Sequence, residues 1–567
     1  MKTLDWIVMG GTILFIILYG ILRSQGSKTI RSYLLSDNDL QWWTIGLSIM
    51  ATQASAITFL STPGQAFNDG MRFVQFYFGV PIAMVLISMV AIPIYRKLNV
   101  YTAYEYLEQR FDLKTRTLGT LLFLTGRSLA AGITIVAPAI ILETILGWEI
   151  WITCLGIGIM VMVYTVSGGS KAVAKTQQQQ MAIILLGMVI AAVLMVRGLP
   201  ESVSFGEALT IAGSSGKLNV ISFPSSVENF FEDRYNLLSG LIAGSFLALS
   251  YFGTDQSQVQ RYLGGKSVTE IRIGLLFNGI FKVPMQFGIL FIGAMLFVFY
   301  QFSPTPMFFN DAVREDVLQS DIGEAYKSAE ESYANLDEER RTYWMDWSED
   351  GDEEAMNKAL ESSKKADEVR KEALAMIESH DEQFNTKDQD RVFLTFVLNH
   401  LPTGLIGLLM AVIFSAAMSS TAAELNALAS TTSVDIYQRM VKKDGSDTHY
   451  FNRSRLFTFM WGVFAIIFAI TAGQYENLIE YVNILGSLFY GTILGLFVVA
   501  FFIKNVGGTA VFWGAVIGEI CIMAIFFLPK VSPDFFGFLE IGYLWLNLIG
   551  CLLVMGMAAI IQALSKK

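Results

Sequence analysis

The chain has 567 residues, of which 53% are hydrophobic and 16% charged, where a soluble domain carries about 25% charged residues. Its net charge of −10 sits in one place: residues 301–391 hold 25 of the 50 acids and 11 of the 40 bases, net −14, which leaves +4 for everything else. That excludes an ordinary soluble protein and gives nucleic acid no basic footprint, so the candidates are a membrane channel, carrier or enzyme.

Apolar runs near the roughly 20 residues needed to cross a bilayer predict about thirteen transmembrane helices and an all-α polytopic membrane protein. The first run, residues 4–22, follows Lys2 as a signal peptide would. It is longer than a usual signal core and lacks a small-residue cleavage site, so residues 1–39 are expected to hold a retained helix and a cytoplasmic linker. Next come runs at 42–67, 73–95, 117–146, 150–166, 181–196, 237–263 and 273–299, within a segment spanning 40–300. The acidic stretch 301–391, with helical composition from Glu361 to Glu378, predicts a solvated hairpin that caps the molecule. Runs at 405–434, 457–472 and 479–503 fall in a segment spanning 392–505, and those at 510–527 and 541–564 in 506–567.

Bases fix the orientation. Arg23, Lys28 and Arg31, then Arg96, Lys97, Arg110, Lys114 and Arg116, then Lys171 and Lys175 fall in alternate loops; Lys266, Arg272, Arg439, Lys442, Lys443, Lys504, Lys566 and Lys567 continue the series. The positive-inside rule makes these cytoplasmic. An integral plasma (inner) membrane protein follows, with its N-terminus and the insert outside and its C-terminus cytoplasmic. Cys154, Cys521 and Cys551 all lie inside runs, which predicts core packing rather than disulfides.

Two spans look interrupted. Ala51-Thr52-Gln53-Ala54-Ser55-Ala56 breaks the second, and Tyr251-Phe252-Gly253-Thr254-Asp255-Gln256 breaks the seventh. Paired interruptions in corresponding places mark the midplane site of carriers built from inverted repeats, although small residues also serve close helix packing. The ninth span carries Ser415, Ser419, Ser420, Thr421, Asn426, Ser430, Thr431 and Thr432. Lipid offers those hydroxyls no partner, so the helix is expected to border a polar path. Glu424, four residues beyond Ser420 and hence on nearly the same face, is an intramembrane carboxylate. It is expected to pair with Arg127, bind a second cation or take a proton.

These residues resemble the sodium/solute symporter family, which includes sodium-glucose, sodium-monocarboxylate, iodide and proline cotransporters. The resemblance rests on an ordered set: Ser55-Ala56, Pro93-Ile94-Tyr95, Glu105-Tyr106-Leu107 with Arg110-Phe111, and Leu142 through Gly147. It continues in Ser167-Gly168-Gly169 with Lys171-Ala172-Val173, Thr254-Asp255-Gln256 with Gln260-Arg261, Ala416 through Ser420, and Asn426 through Tyr437. It implies a leucine-transporter-like fold of two inverted five-helix repeats, one helix before them and two after. It also implies a sodium ion (Na+) held by the carbonyls of Ala51, Ala54 and Ala416 and the hydroxyls of Ser419 and Ser420, neutral oxygens suited to a hard cation. The alternative for the serines is bonding back to the preceding helical turn.

A second sodium, as in some relatives, would need hydroxyls and a carboxylate where this chain has Ala422, Ala423 and Gln177, which argues against it. For the solute, the resemblance implies Lys282, Asn483 and, as an inner gate, Tyr251; Gln53, Asp255 and Gln256 at the breaks join them. Other positions used by sugar carriers read Tyr77, Ala130, Thr58 and Ala248, which leaves a sugar or polyol in competition with an organic anion drawn by Arg127 and Lys282. The expected function is sodium-coupled import of a small organic solute by alternating access, with no enzymatic activity, since His380, His400 and His449 lie outside the spans and no HExxH occurs. A passive channel is the more distant alternative; it would need a selectivity ring.

Overall fold

Backbone amides and carbonyls in lipid must be paired within the protein, and a helix does this within one segment. The computed structural model describes residues 1–24, 39–224, 227–380, 386–471 and 478–565, and among these it is helical apart from loops and a lone bridge between Leu40 and Gly265. Lys28, Arg31, Lys566 and Lys567 lie outside the described residues, as do the side chains of Arg23, Ser167, Lys171, Val173 and Lys175.

Helix α1 (Thr3–Ser24) precedes the first interrupted pair, α2 (Trp42–Gln53) and α3 (Ala56–Asp69). Then follow α4 (Gly79–Met89), α5 (Ala91–Leu98), α6 (Tyr104–Arg110), α7 (Leu113–Leu146), α8 (Ile150–Arg197) and α9 (Phe205–Ser214). The second interrupted pair is α10 (Gly244–Gly253) and α11 (Gln256–Leu263), followed by α12 (Val268–Phe302). The insert contributes α13 (Asp311–Gln319), α14 (Gly323–Asp350) and α15 (Glu353–His380), and α16 (Gln389–His400) leads back to the spans α17 (Leu405–Thr431), α18 (Asp447–Thr471), α19 (Leu478–Phe502), α20 (Gly508–Val531) and α21 (Tyr543–Ser565).

Nine segments of the described residues are long and apolar enough to cross a membrane, and three shorter apolar helices lie at 3–16, 150–163 and 239–253. One of the nine, Ala56–Leu98, serves two expected spans, so each of the thirteen finds its helix. The main departure is α8, which runs 48 residues without a break where the sequence predicts a loop between two spans. Between Ser170 and Gln180 the chain offers Lys, Ala and Gln, all good helix formers, and no proline. Charge alone does not end a helix.

Helix α17 is the axis of the molecule. Nearly every residue from Ile406 to Thr431 is buried, because α1, α7, α8 and α18 surround it and both halves of the first broken helix reach it. Helix α12 packs against α2, α3 and α4. Helix α16 lies on α3 at Gly64, where an added Cβ would stand 1.9 Å from the Gln389 carbonyl oxygen. The insert is the antiparallel hairpin its composition suggests, α14 against α15, yet it is docked rather than merely peripheral: the Trp344 indole is fully buried and donates to Gln301 on α12 at 3.2 Å. Cys154 and Cys551 are buried, Cys521 is half-buried, and all three are free thiols.

Candidate functional site

The two breaks are built differently, and the difference decides what each can do. At the first, Ala54 leaves helical geometry at φ −83°, ψ 74° and Ser55 is extended, so the last carbonyls of α2 lose the amides that would continue the ladder. Among the described residues no hydroxyl donates to the carbonyls of Ala51 or Ala54; Thr58 reaches Gln53 O at 3.4 Å. At the second break three freed carbonyls are taken: Tyr262 donates to Phe252 O at 3.0 Å, Tyr95 to Gly253 O at 2.8 Å and Tyr104 to Thr254 O at 3.0 Å. Three tyrosines thus occupy these oxygens at the second break, whereas among the described residues no hydroxyl takes those of Ala51 and Ala54 at the first.

Opposite the first break lies α17. Among the described residues the buried Ser419 hydroxyl has no hydrogen-bond partner, while Ser420 bonds back to Ala416 O at 2.9 Å. A serine hydroxyl that donates keeps its lone pairs, so both remain competent for a cation. Ala422 and Ala423 bring no oxygen, and Gln177 is engaged with α2, accepting from Ser48 at 2.6 Å and donating to Thr52 at 3.1 Å.

Beside the break is a small cavity of about 80 Å³ whose wall includes Gln53, Thr58, Tyr77, Arg127, Tyr251 and Asn483. These come from α3, α7, α10, α19 and the chain around them, and Glu424 of α17 completes the polar wall. Lys282, Asp255 and Gln256 do not line it. The Lys282 ammonium is fully buried behind the cavity, 5.0 Å above the Tyr77 ring. Gln256 ties the second break to the loop before α6, donating to Tyr101 O at 2.9 Å and accepting from Ala103 N at 3.2 Å.

Asp255 serves Arg127. The guanidinium donates from Nε to Asp255 at 3.0 Å and from Nη1 to Glu424 Oε1 at 3.0 Å, and its Nη2 contacts both Asp255 and the Tyr490 hydroxyl. Tyr490 in turn donates to Asp255 at 2.9 Å. Two carboxylates therefore share one guanidinium, and among the described residues Glu424 Oε2 makes no hydrogen bond of good geometry.

On the base-rich side, Asp435 accepts from Arg116 Nε at 2.8 Å and from Thr102 at 2.7 Å, and Glu108 bridges Arg116 at 2.7 Å and Arg439 at 2.5 Å. Of these only Asp435 belongs to the ordered set; the cluster joins α6, α7 and the end of the ninth span.

The model of the Sodium:solute symporter family matches residues 33–322 and 372–518, well over half the chain. The chain belongs to the sodium:solute symporter family. The human sodium/iodide cotransporter is 32% identical over 285 residues, 50% of this chain and 42% of that protein. Human sodium-coupled monocarboxylate transporter 1 is 31% identical over 48% of this chain and 44% of its own length. The alignments thus span less than half of these relatives. The sodium/sialic acid symporter SiaT of Proteus mirabilis (strain HI4320) is 23% identical over 94% of this chain and 92% of its own. A solved structure of a Na+-coupled sialic acid symporter, substrate-bound and outward-open, superposes with a TM-score of 0.74 at 21% identity, covering 99% of this chain and 98% of that one. The fold is therefore the leucine-transporter-like arrangement of this family. Tyr490 and Thr134 are wall residues the motifs did not mark. Each stands seven positions from a marked one, Asn483 and Arg127, and two helical turns return to the same face.

Proposed function

We propose that the chain is a sodium-coupled symporter that imports a small solute rich in hydrogen-bond donors, a polyol or sugar rather than an organic anion. Sodium is the driving ion, held by the carbonyls of Ala51, Ala54 and Ala416 and the hydroxyls of Ser419 and Ser420. What supports this is the contrast between the breaks: tyrosine hydroxyls take the Phe252, Gly253 and Thr254 carbonyls at the second, and among the described residues none reaches the two alanine carbonyls at the first. Neutral oxygens hold a hard monovalent cation without the charge that would prevent its release. Solute would bind against Gln53, Thr58, Tyr77, Tyr251 and Asn483, with Tyr251, whose hydroxyl accepts from Gln258 at 2.6 Å, as the inner gate.

The observation that carries the solute class is the sharing of Arg127. An anionic solute needs an unspent cation in the cavity wall; this guanidinium already faces Asp255 and Glu424, and Lys282, whose ammonium has no hydrogen-bond partner among the described residues, lies over the Tyr77 ring and does not line the cavity. A free Glu424 oxygen in the wall favours donors. Relatives are named for iodide, monocarboxylate and sialic acid; the reading for this chain rests on the sharing of its own Arg127. The chain sits in the plasma (inner) membrane with the N-terminus and insert outside and the C-terminus in the cytoplasm, a reading supported by the alternation of bases.

The test is uptake into proteoliposomes with and without a sodium gradient, using a panel of polyols, sugars and carboxylates. Sodium-driven accumulation of a neutral polyhydroxylated solute is expected. Accumulation of carboxylates alone would overturn the solute class, and gradient-independent flux would favour the channel.

A further inference from the structure

The family match skips residues 323–371, which are α14 and most of α15. This hairpin does more than cover the core. Between it and the ends of α3 and α12 lies a second cavity of about 330 Å³, larger than the one beside the break. Its apolar lining is aromatic, with Phe67, Phe297, Tyr300, Phe309 and Tyr333. Its charged lining is Lys217, Arg340, Arg370 and Lys371 against one carboxylate, Asp367. Within an insert of net charge −14, the hairpin has turned its bases inward.

Some of that charge is answered. Arg370 donates to both oxygens of Asp388, at 2.7 and 2.8 Å, and to Met307 O at 2.9 Å. Arg340 contacts Asp337 and donates from Nη2 to Tyr300 O at 2.9 Å and Thr305 at 3.0 Å. Two donors are left over. Among the described residues Arg340 Nε and the Tyr300 hydroxyl are buried without a hydrogen-bond partner, an unfavourable state unless something fills the need. Lys217 donates to Asn68 O at 2.5 Å and lies 4.6 Å above the Phe297 ring; burial pushes its amine below the ordinary lysine value, against the pull of Asp367 and Asp69.

We propose that this cavity is a second binding site, separate from the transport site, for a small organic carboxylate with a ring or apolar body. The carboxylate oxygens meet Arg340 Nε and the Tyr300 hydroxyl, Lys371 and Lys217 supply the field, and the aromatic rings cover the body. Because Phe67 and Asn68 belong to α3, occupancy bears directly on the outer half of the first broken helix. The proposal does not depend on what the transport site carries.

Benzoate is the probe, with benzamide as its neutral isostere, titrated calorimetrically into the purified full-length protein. Saturable benzoate binding is expected, at least tenfold tighter than benzamide. Tyr300→Phe removes only an unpartnered hydroxyl, so the thermal midpoint should hold while benzoate affinity falls several-fold; Lys371→Gln, at an exposed position, should also weaken it. Asn483→Ala at the transport site should leave benzoate binding unchanged. Absence of saturable binding, equal binding of benzamide, binding that survives both Tyr300→Phe and Lys371→Gln, or loss in Asn483→Ala would each overturn the proposal.

Discussion

Ser419 and Ser420 are neighbours with different local bonding, and that predicts different variants. The Ser419 hydroxyl has no hydrogen-bond partner among the described residues, so at the proposed sodium site its removal would delete a cation ligand and free nothing. Ser419→Ala should raise the half-saturating sodium concentration about tenfold, ~1.4 kcal/mol, with little change in thermal stability. Ser420 also bonds to Ala416 O, so Ser420→Ala should weaken sodium by several-fold and also perturb the helix. A sodium titration of uptake in the two variants checks this, and equal sodium dependence in both and the parent would count against the site. Glu424→Gln keeps the shape of the wall while removing its negative charge. If the sharing of Arg127 excludes anions, this substitution should bring measurable carboxylate uptake into a carrier that otherwise rejects it.

At the scale of helices, α16 is the piece that sits over the first broken helix, and two of its contacts are testable. Gly64→Ala would place a Cβ 1.9 Å from Gln389 O and 2.8 Å from its carbonyl carbon, both backbone atoms that cannot rotate away. Overpacking of this kind costs about 1–3 kcal/mol. The variant should still insert, but its maximal transport rate should fall several-fold with the sodium dependence unchanged; a parental rate would show that α16 need not approach α3. Asp390 of α16, with Arg391 and Asp388 as its charged neighbours, is buried beside the Leu478 amide at 3.3 Å. Burial pushes its carboxyl up to about 6, against the Ser61 hydroxyl and the Leu478 amide, which favour ionisation. A folded value above the unfolded one means that the native state gains stability as the group is protonated, fully below about pH 4, and loses it as pH rises through 6. Thermal midpoints between pH 4 and 7 should therefore decline with rising pH, by up to about 2–3 kcal/mol in stability, and Asp390→Asn should flatten that decline.

These elements also show what could be read from the amino-acid order. The breaks at Ala54-Ser55 and Thr254-Asp255 were legible because small polar residues are out of place in lipid, and the hairpin because its composition is that of a soluble helix pair. The continuity of α8 was not, since a base-rich stretch reads as a loop whether or not the backbone stays helical. Nor was the fate of Asp255. Its position at a break suggests a solute contact, but its bonding to Arg127 depends on the second break meeting α7 in space, which no local pattern states.

For the molecule as a whole, the arrangement predicts one sodium per solute. A second sodium site has no hydroxyls at Ala422 and Ala423, and Gln177, committed to Ser48 and Thr52, offers no carboxylate. One inward charge gains about 2.3 kcal/mol per 100 mV, and a tenfold sodium gradient adds about 1.4 kcal/mol. Together these can concentrate a neutral solute by a few hundred-fold. A monoanion moving with the sodium cancels the charge, and only the gradient, about tenfold, remains. Reversal potentials in liposomes at several sodium ratios thus read stoichiometry and solute charge together. Net inward movement of one positive charge per cycle, with a coupling ratio of one, is expected. Electroneutral transport at a ratio of one would mean that an anion passes Arg127 despite its two carboxylates, and a ratio near two would make Glu424, with its unpartnered oxygen, the first residue to examine as a second cation ligand.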